Sequence, residues 1–477
     1  MRKNLVKFII LTLLITLVGP LELQFSKSSI EAEFESEGIR ASTLYTNDNI
    51  QLEPYLSARV DGSPAAYEHE TTFISEVFVP DFEFDAVGVE WEEIRPEGTD
   101  IHLSVRFQKT NDEWGKWTPI VVDLRDGPDF IEFETDGFYE VEEVVSTERS
   151  KAIQYKVEMS SETGSVTPRV QNVSFHYIDA SVAEILAPSE PKTQTASLES
   201  RQRLTFGAES LNIISREEWG ADEEWRLASY FGSDEEEEEE EEVEEEEIVE
   251  DDETGKNGEE PTIQELYPEE FEITETVYED EDGEELYWPI QYAENVEKII
   301  IHHTAGTSGE ENAAASVRAI YYYHSVRRGW GDIGYNYVID THGNIYEGRA
   351  GGDSVVGGHA LGNNTGSVGI SIMGNYEEEE ISYAALESLA QLVDAKADFH
   401  GIDIDGYGQF RGEITPNLGG HRDFGQTLCP GANLFELIPT LRQIIASNML
   451  NLEINESSDD PYAFVNINDY DAIVLDP

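Results

Sequence analysis

The sequence predicts two folded parts: an all-β sandwich over about residues 70–180, and an α/β domain with a mixed central sheet flanked by helices over 211–445. Three observations carry this. Short runs in the amino-terminal half alternate apolar and polar residues with period two, as half-buried antiparallel strands do. The carboxy-terminal half instead interleaves short apolar strands with helical periodicity. Between them, 17 of the 20 residues from Asp234 to Glu253 are acidic and none is Lys or Arg. Such a block repels itself and buries too little apolar surface to fold.

A length of 477 residues suits two or three domains. The formal charge of −70 excludes a partner held mainly by its phosphates, so no nucleic acid is expected, and it opposes docking on anionic lipid. Hydrophobic residues still make up 39%, enough for real cores. Cys429 is the single cysteine, which excludes an intrachain disulfide.

The elements follow in chain order. Arg2, Lys3 and Lys7 precede the largely apolar run from Phe8 to Val18, which ends at Gly19-Pro20. Residues 1–28 therefore read as an export signal or a retained anchor, and the chain as secreted or held in the cell envelope, with no stable membrane partner beyond that anchor. Sandwich strands are expected at Val87, Val89, Trp91; at Ile101, Leu103, Val105, Phe107; at Ile153, Tyr155, Val157, Met159; and at Val173, Phe175, Tyr177. Trp114 and Trp117 flank a Gly115-Lys116 turn, where edge packing is the simpler reading and sugar stacking the functional one. His69, His102 and His176 lack ligand spacing and read as surface or strand residues.

Residues 181–210, with Pro188-Ser189-Glu190-Pro191, read as a linker, and about 222–290 as an acidic disordered insertion. Val296 to Ile301 then forms a strand that delivers His302-His303-Thr304 at its carboxyl end. Helices are expected from Asn312 to Arg327, from a Ser382 cap through Phe399 to Gly401, and from Leu434 to Met449. Strands near Tyr335 to Ile339, Asn344 to Gly348 and Val368 to Met373 complete the sheet, and 446–477 is an acidic tail.

Seven of the ten histidines lie beyond residue 300, together with Cys429. His302, His421 and Cys429 supply two imidazoles and one thiolate, a tetrahedral set that leaves a fourth position for water. Their softness selects zinc over magnesium or calcium. Taken singly, each reads as an ordinary core or surface group. The chemical rival is a cysteine nucleophile with His421 as base, but Pro430-Gly431 supplies no helix N-terminus of the kind that activates a thiolate.

The motifs Ile213-Ile214-Ser215-Arg216-Glu217-Glu218-Trp219-Gly220-Ala221, Ile301-His302-His303-Thr304-Ala305-Gly306, Gly329-Trp330-Gly331-Asp332-Ile333-Gly334-Tyr335-Asn336-Tyr337, Tyr346-Glu347-Gly348-Arg349, Gly358-His359-Ala360, Gly420-His421-Arg422 and Cys429-Pro430-Gly431 occur in this order. Together they resemble the peptidoglycan recognition protein and type 2 N-acetylmuramoyl-L-alanine amidase family over residues 211–445. The resemblance implies a zinc ion held by His302, His421 and Cys429. It implies a catalytic role for Tyr335, at the metal's water or the oxyanion, and for Thr427, beside the scissile carbonyl. His359, Arg349, His303, Trp330 and Arg422 are implied to bind substrate. Peptidoglycan is the implied partner, and hydrolysis of the bond from the lactyl group of N-acetylmuramic acid to L-alanine the implied reaction. The alternative from the same resemblance is a non-catalytic recognition module, which generally lacks the cysteine. From pattern alone, core packing suits Tyr335 as well as Tyr337, since period two places both on one face.

Overall fold

The computed structural model describes residues 29–36, 39–46, 48–52, 54–56, 66–67, 69–120, 139–181, 211–231, 273–306, 312–425 and 427–447. The export segment, most of the linker, the acidic block and the carboxy-terminal tail beyond 447 lie outside the described residues. Among those described, no helix is long and apolar enough to cross a membrane.

Eleven strands build the amino-terminal part: β1 (Ser29–Ser36), β2 (Ile39–Tyr45), β3 (Asn49–Gln51), β4 (Pro54–Leu56), β5 (Ala66–Tyr67), β6 (Glu70–Ile74), β7 (Phe84–Ile94), β8 (Thr99–Lys109), β9 (Thr118–Pro119), β10 (Tyr139–Ser161) and β11 (Arg169–Asp179). Nine of them form one antiparallel sheet in the order β1-β2-β11-β7-β10-β8-β9, with β3 on β11 and β6 on β10. Two differences from expectation stand out. The sheet begins at Ser29 rather than near residue 70, and its nine strands are hydrogen-bonded into one continuous ladder, a continuity the expected sandwich did not require. The reason for the second is β10, whose 23 residues pair with β7 up to Ser150 and with β8 beyond it, changing neighbours across register shifts on both sides of that residue. Alternation still sorts the faces: Val87, Val89 and Trp91 join Leu103, Val105, Tyr155 and Phe175 in one buried cluster. Trp114 and Trp117 both pack on the Arg106 guanidinium, at 4.7 and 4.6 Å, so edge packing accounts for them.

The carboxy-terminal part adds β12 (Ile213–Ile214), α1 (Arg216–Trp219), α2 (Ala228–Phe231), β13 (Ile273–Glu279), β14 (Glu285–Ala293), β15 (Lys298–His303), α3 (Ala313–Tyr322), β16 (Tyr337–Ile339), β17 (Ile345–Glu347), β18 (Ser367–Ile372), α4 (Tyr383–His400), β19 (Tyr407–Phe410), β20 (Glu413–Pro416), β21 (Leu418–Gly420) and α5 (Ala432–Ser447). The mixed sheet runs β12-β17-β16-β18-β15-β21, all neighbours parallel except β16 with β17. Helix limits follow their caps. Asn312 accepts from Ala315 N and Ser382 from Ala385 N, while Gly401 closes α4 in the left-handed conformation. Ile299, Ile301, Ile339 and Ile370 face α4 and α5, whereas Val338 and Tyr346 on the opposite face meet α3. The stretch 222–290, expected as one disordered insertion, is ordered at both ends. Trp225 is buried against Tyr321, and β13 and β14 form a hairpin.

The two parts share a buried interface. Ile39, Ala86, Ile178 and Ala180 of the amino-terminal sheet cluster with Trp219 and with Tyr321 to Tyr323. Gly88 leaves room for Tyr323, since a Cβ there would lie 2.3 Å from that ring. Arg318 donates to Ala180 O at 2.6 Å and to Trp219 O at 2.6 Å, bridging the parts. His176, read above as a surface or strand residue, is a buried strand residue in this interface, 2.7 Å from Glu90, which also receives Arg327 at 2.6 Å.

Burial by itself would raise the Glu90 carboxyl, but the His176 hydrogen bond and the Arg327 charge hold it below its ordinary 4.5. Because the folded value is the lower one, its stabilisation is complete above pH 4.5 and fades as the pH falls below that through the folded value. Glu90→Gln is therefore expected to cost about 2–3 kcal/mol at pH 7, under the 3–5 of a fully buried pair because Arg327 keeps part of its side chain in water. Thermal melts should show parent and variant converging in acid. A gap that stays constant down to pH 2 contradicts the assignment.

Candidate functional site

The site forms at the carboxyl ends of β15 and β21, where side chains leave a parallel sheet. In this register Ile301 pairs with Gly420, so His302 is the next residue of β15 and His421 the first beyond β21. Their rings lie 4.4 Å apart. Cys429 reaches the same point on a loop stitched to itself: Arg422 N donates to Cys429 O at 3.0 Å, and Gly431 N to Leu428 O at 2.7 Å. The loop returns into α5, where Glu377 accepts from Ala432 N at 2.8 Å.

His302, His421 and Cys429 are all buried, and their donor atoms lie within 4.8 Å of one another. Zinc–nitrogen bonds of about 2.0–2.1 Å and a zinc–sulfur bond of about 2.3 Å imply a tetrahedral N···S edge of about 3.5 Å. His302 Nδ1 and Cys429 Sγ stand 3.5 Å apart. Two imidazoles and a thiol are also the donors that a soft divalent ion prefers, so residues and spacing fit the group. Burial, then the neighbouring His421, His359 and His303, push the His302 imidazole well below its ordinary 6.5. It is thus held neutral, the form that can ligate.

A sequence profile of N-acetylmuramoyl-L-alanine amidases matches residues 292–432, which span all three of these residues. Over 143 residues the chain is 39% identical to peptidoglycan-recognition protein SC2 of Drosophila melanogaster, covering 30% of this chain and 71% of the fly protein. It is 35% identical over 161 residues to peptidoglycan recognition protein 1 of Bos taurus, covering 33% and 74%. The chain belongs to the peptidoglycan recognition protein and N-acetylmuramoyl-L-alanine amidase family. The human N-acetylmuramoyl-L-alanine amidase is 35% identical over 146 residues, which cover 30% of this chain and 23% of that protein.

Around His302, His421 and Cys429, the remaining expected residues take different stations. Tyr335 is half-buried with its ring 5.5 Å from that of His302, whereas Tyr337 is buried in the core under Lys396. The sheet thus separates two tyrosines that period two could not. Thr427 Oγ1 accepts from Cys429 N at 2.9 Å, which leaves its hydroxyl proton able to donate.

Of the five residues expected to bind substrate, four are engaged inside the protein. His359 is buried, with Nδ1 3.0 Å from His302 Nε2, and thereby fixes that ring from behind. Arg349 is buried and donates to Trp330 O at 3.3 Å, bracing the loop before Tyr335. His303 is buried and accepts from Tyr376 N at 3.2 Å. Burial, followed by Arg422 and His421, pushes it down to about 3. Arg422 donates to Leu428 O and Cys429 O, holding the cysteine loop. Trp330, like Arg422, remains partly exposed, its ring 4.7 Å from His324.

Sequence reasoning passed over two supports. His324 accepts from Gly334 N at 3.1 Å and lies 5.7 Å from Tyr335, with burial, Arg328 and Arg349 pushing it down to about 3. Asp332 receives Arg216 at 2.9 Å, Arg226 at 3.3 Å and Ala350 N at 3.0 Å, which anchors the loop between Trp330 and Tyr335. A buried acid inside the Gly-Trp-Gly-Asp motif, and the one arginine of Ser-Arg-Glu-Glu, were the available signals.

Proposed function

We propose that the chain is an exported zinc-dependent amidase that hydrolyses the bond between the lactyl carbonyl of N-acetylmuramic acid and the nitrogen of L-alanine in peptidoglycan. The observation that carries this reading is the convergence of His302, His421 and Cys429 beside Tyr335. These three residues would hold the ion, and when bound it would polarise the carbonyl and make water a better nucleophile at neutral pH.

The chain's own residues supply the rest. His359 orients His302, and the Thr427 and Arg422 contacts keep Cys429 in place. Water adds to the lactyl carbonyl, the C–N bond breaks, and the nitrogen leaves with a proton as the free amine of L-alanine. Tyr335 can donate to the oxygen on which negative charge develops, and the Thr427 hydroxyl offers a second donor near Cys429. Export is supported by the basic and apolar run at residues 1–28.

The test is release of new amine termini from purified peptidoglycan by the chain from Ser29 onward, with and without a chelator. New L-alanine termini that vanish with chelator and return with zinc are expected. Tight binding without new amine would move the chain to recognition, and amine release unaffected by chelator would remove the metal. Tyr335→Phe is expected to lower kcat by about 10²–10³ while metal content stays at the parent value, as loss of an oxyanion donor does. Unchanged turnover would reduce Tyr335 to packing.

A further inference from the structure

We infer that the β13–β14 hairpin is a glycan-binding surface beside the site, with Trp288, next to Tyr287, stacking on a sugar ring of the peptidoglycan strand. The inference rests on the amidase reading for its ligand.

Trp288 is 54% exposed and Tyr287 43% exposed, neighbouring aromatic residues on β14. Large rings left in water at two successive positions are uncommon on a surface that needs them for nothing. The hairpin is also fixed in place. Tyr287 packs on Phe231 with ring centroids 4.0 Å apart. Farther along β14, Ala293 N donates to Ser354 O at 3.0 Å and Val356 N donates to Gln291 O at 2.9 Å, tying the strand to the segment that runs into Gly357, Gly358 and His359.

This position continues the site already described. The backbone of Trp288 lies against Gly331, where an added Cβ would come within 2.4 Å of Trp288 Cβ. Tyr287 borders Gly329 in the same way, its hydroxyl 3.7 Å from where a Cβ would stand. Trp330 lies between those glycines, and its indole N–H meets no acceptor among the described residues. Tyr287 and Trp288 thus border the loop that carries Trp330 and, five residues later, Tyr335.

Charge selects the occupant. The hairpin's turn and flank expose Glu281, Asp282, Glu284 and Glu285. These carboxylates repel the acidic stem peptide, whereas a neutral sugar offers hydroxyl donors to them and a face of C–H groups to an aromatic ring. The glycan, not the peptide, suits this surface.

The test uses the full chain and glycan strands stripped chemically of their stem peptides, with the lactyl carboxylates so exposed converted to amides to keep the strands neutral, and binding is read by co-sedimentation or by quenching of tryptophan fluorescence. Trp288→Ala is expected to weaken binding at least fivefold, and Trp288→Phe to retain more than half of the parent affinity. Trp288 is more than half exposed, so both variants should melt with the parent. No binding of stripped strands by the parent, or equal binding by parent and Trp288→Ala, overturns the inference. The readout needs no turnover and so separates the two readings. A chain that binds glycan through Trp288 but releases no amine loses the amidase reading and keeps this one. A chain that releases amine with Trp288→Ala binding as tightly as the parent loses this one alone.

Discussion

Cys429→Ala is expected to abolish amine release, with at least about a 10³-fold loss in turnover, equivalent to about 4 kcal/mol of barrier. Removing the thiol leaves two imidazoles, too few donors to hold the ion against dialysis. Bound zinc should therefore fall from about one per chain to almost none. The fold should survive, because alanine fills most of the volume of a small buried thiol and the loop's hydrogen bonds use backbone atoms of residues 422, 428, 429 and 431. A melt within a few degrees of the parent, with no metal and no product, is the predicted combination. Two companions separate the thiol-nucleophile alternative. A chelator should silence the parent without touching Cys429, and His421→Ala should remove metal as Cys429→Ala does. Turnover that resists chelation but is lost on thiol alkylation would assign Cys429 to covalent chemistry instead.

Gly431→Ala is expected to be the most damaging single-methyl change near the site. Gly431 has φ +90, and a Cβ there would stand 2.2 Å from the carbonyl carbon of Tyr376 and 2.4 Å from the nitrogen of Glu377. Both obstacles are backbone, so neither can step aside as a flexible side chain would. Left-handed strain of about 1–2 kcal/mol and overpacking of about 1–3 kcal/mol act together here, for roughly 3–4 kcal/mol of stability. For a domain of this size the melting point should drop by about 10 °C. The loop must also shift two residues from Cys429, so metal affinity should fall with it. Gly401→Ala is the control. Its φ is +70 but nothing lies within 4 Å of the added methyl, so it carries the strain without the clash and should cost about 1 kcal/mol with metal binding intact. Equal effects at both glycines would show that backbone conformation, not the approach of residues 376–377, decides the outcome.

How much could be read from the sequence depended on whether the deciding interaction was local. Asn312, Ser382 and Gly401 mark helix ends in the structure because capping is settled within one turn of chain. The apolar run ending in His302-His303 became β15 because its residues are buried on both faces, as an interior parallel strand requires. The triad was legible for a related reason: two histidines and a lone cysteine are a donor set whose chemistry does not depend on the rest of the fold.

Other features were settled between segments far apart in the chain. His359 meets His302 across 57 residues, a contact no local pattern announces. Arg349 and His303 were drawn inside because backbone groups left by the loop before Tyr335 and by residue 376 needed partners there. Glu90 and Arg327 meet across 237 residues, and no local pattern announces that pairing. What the sequence alone determined was the chemistry: which donors were present, where the helices were capped and which strands alternated. Only the tertiary structure decided which side chains reach the site, which brace it and how the amino-terminal sheet docks, because burial and partnership are properties of surfaces that exist only once distant segments have met.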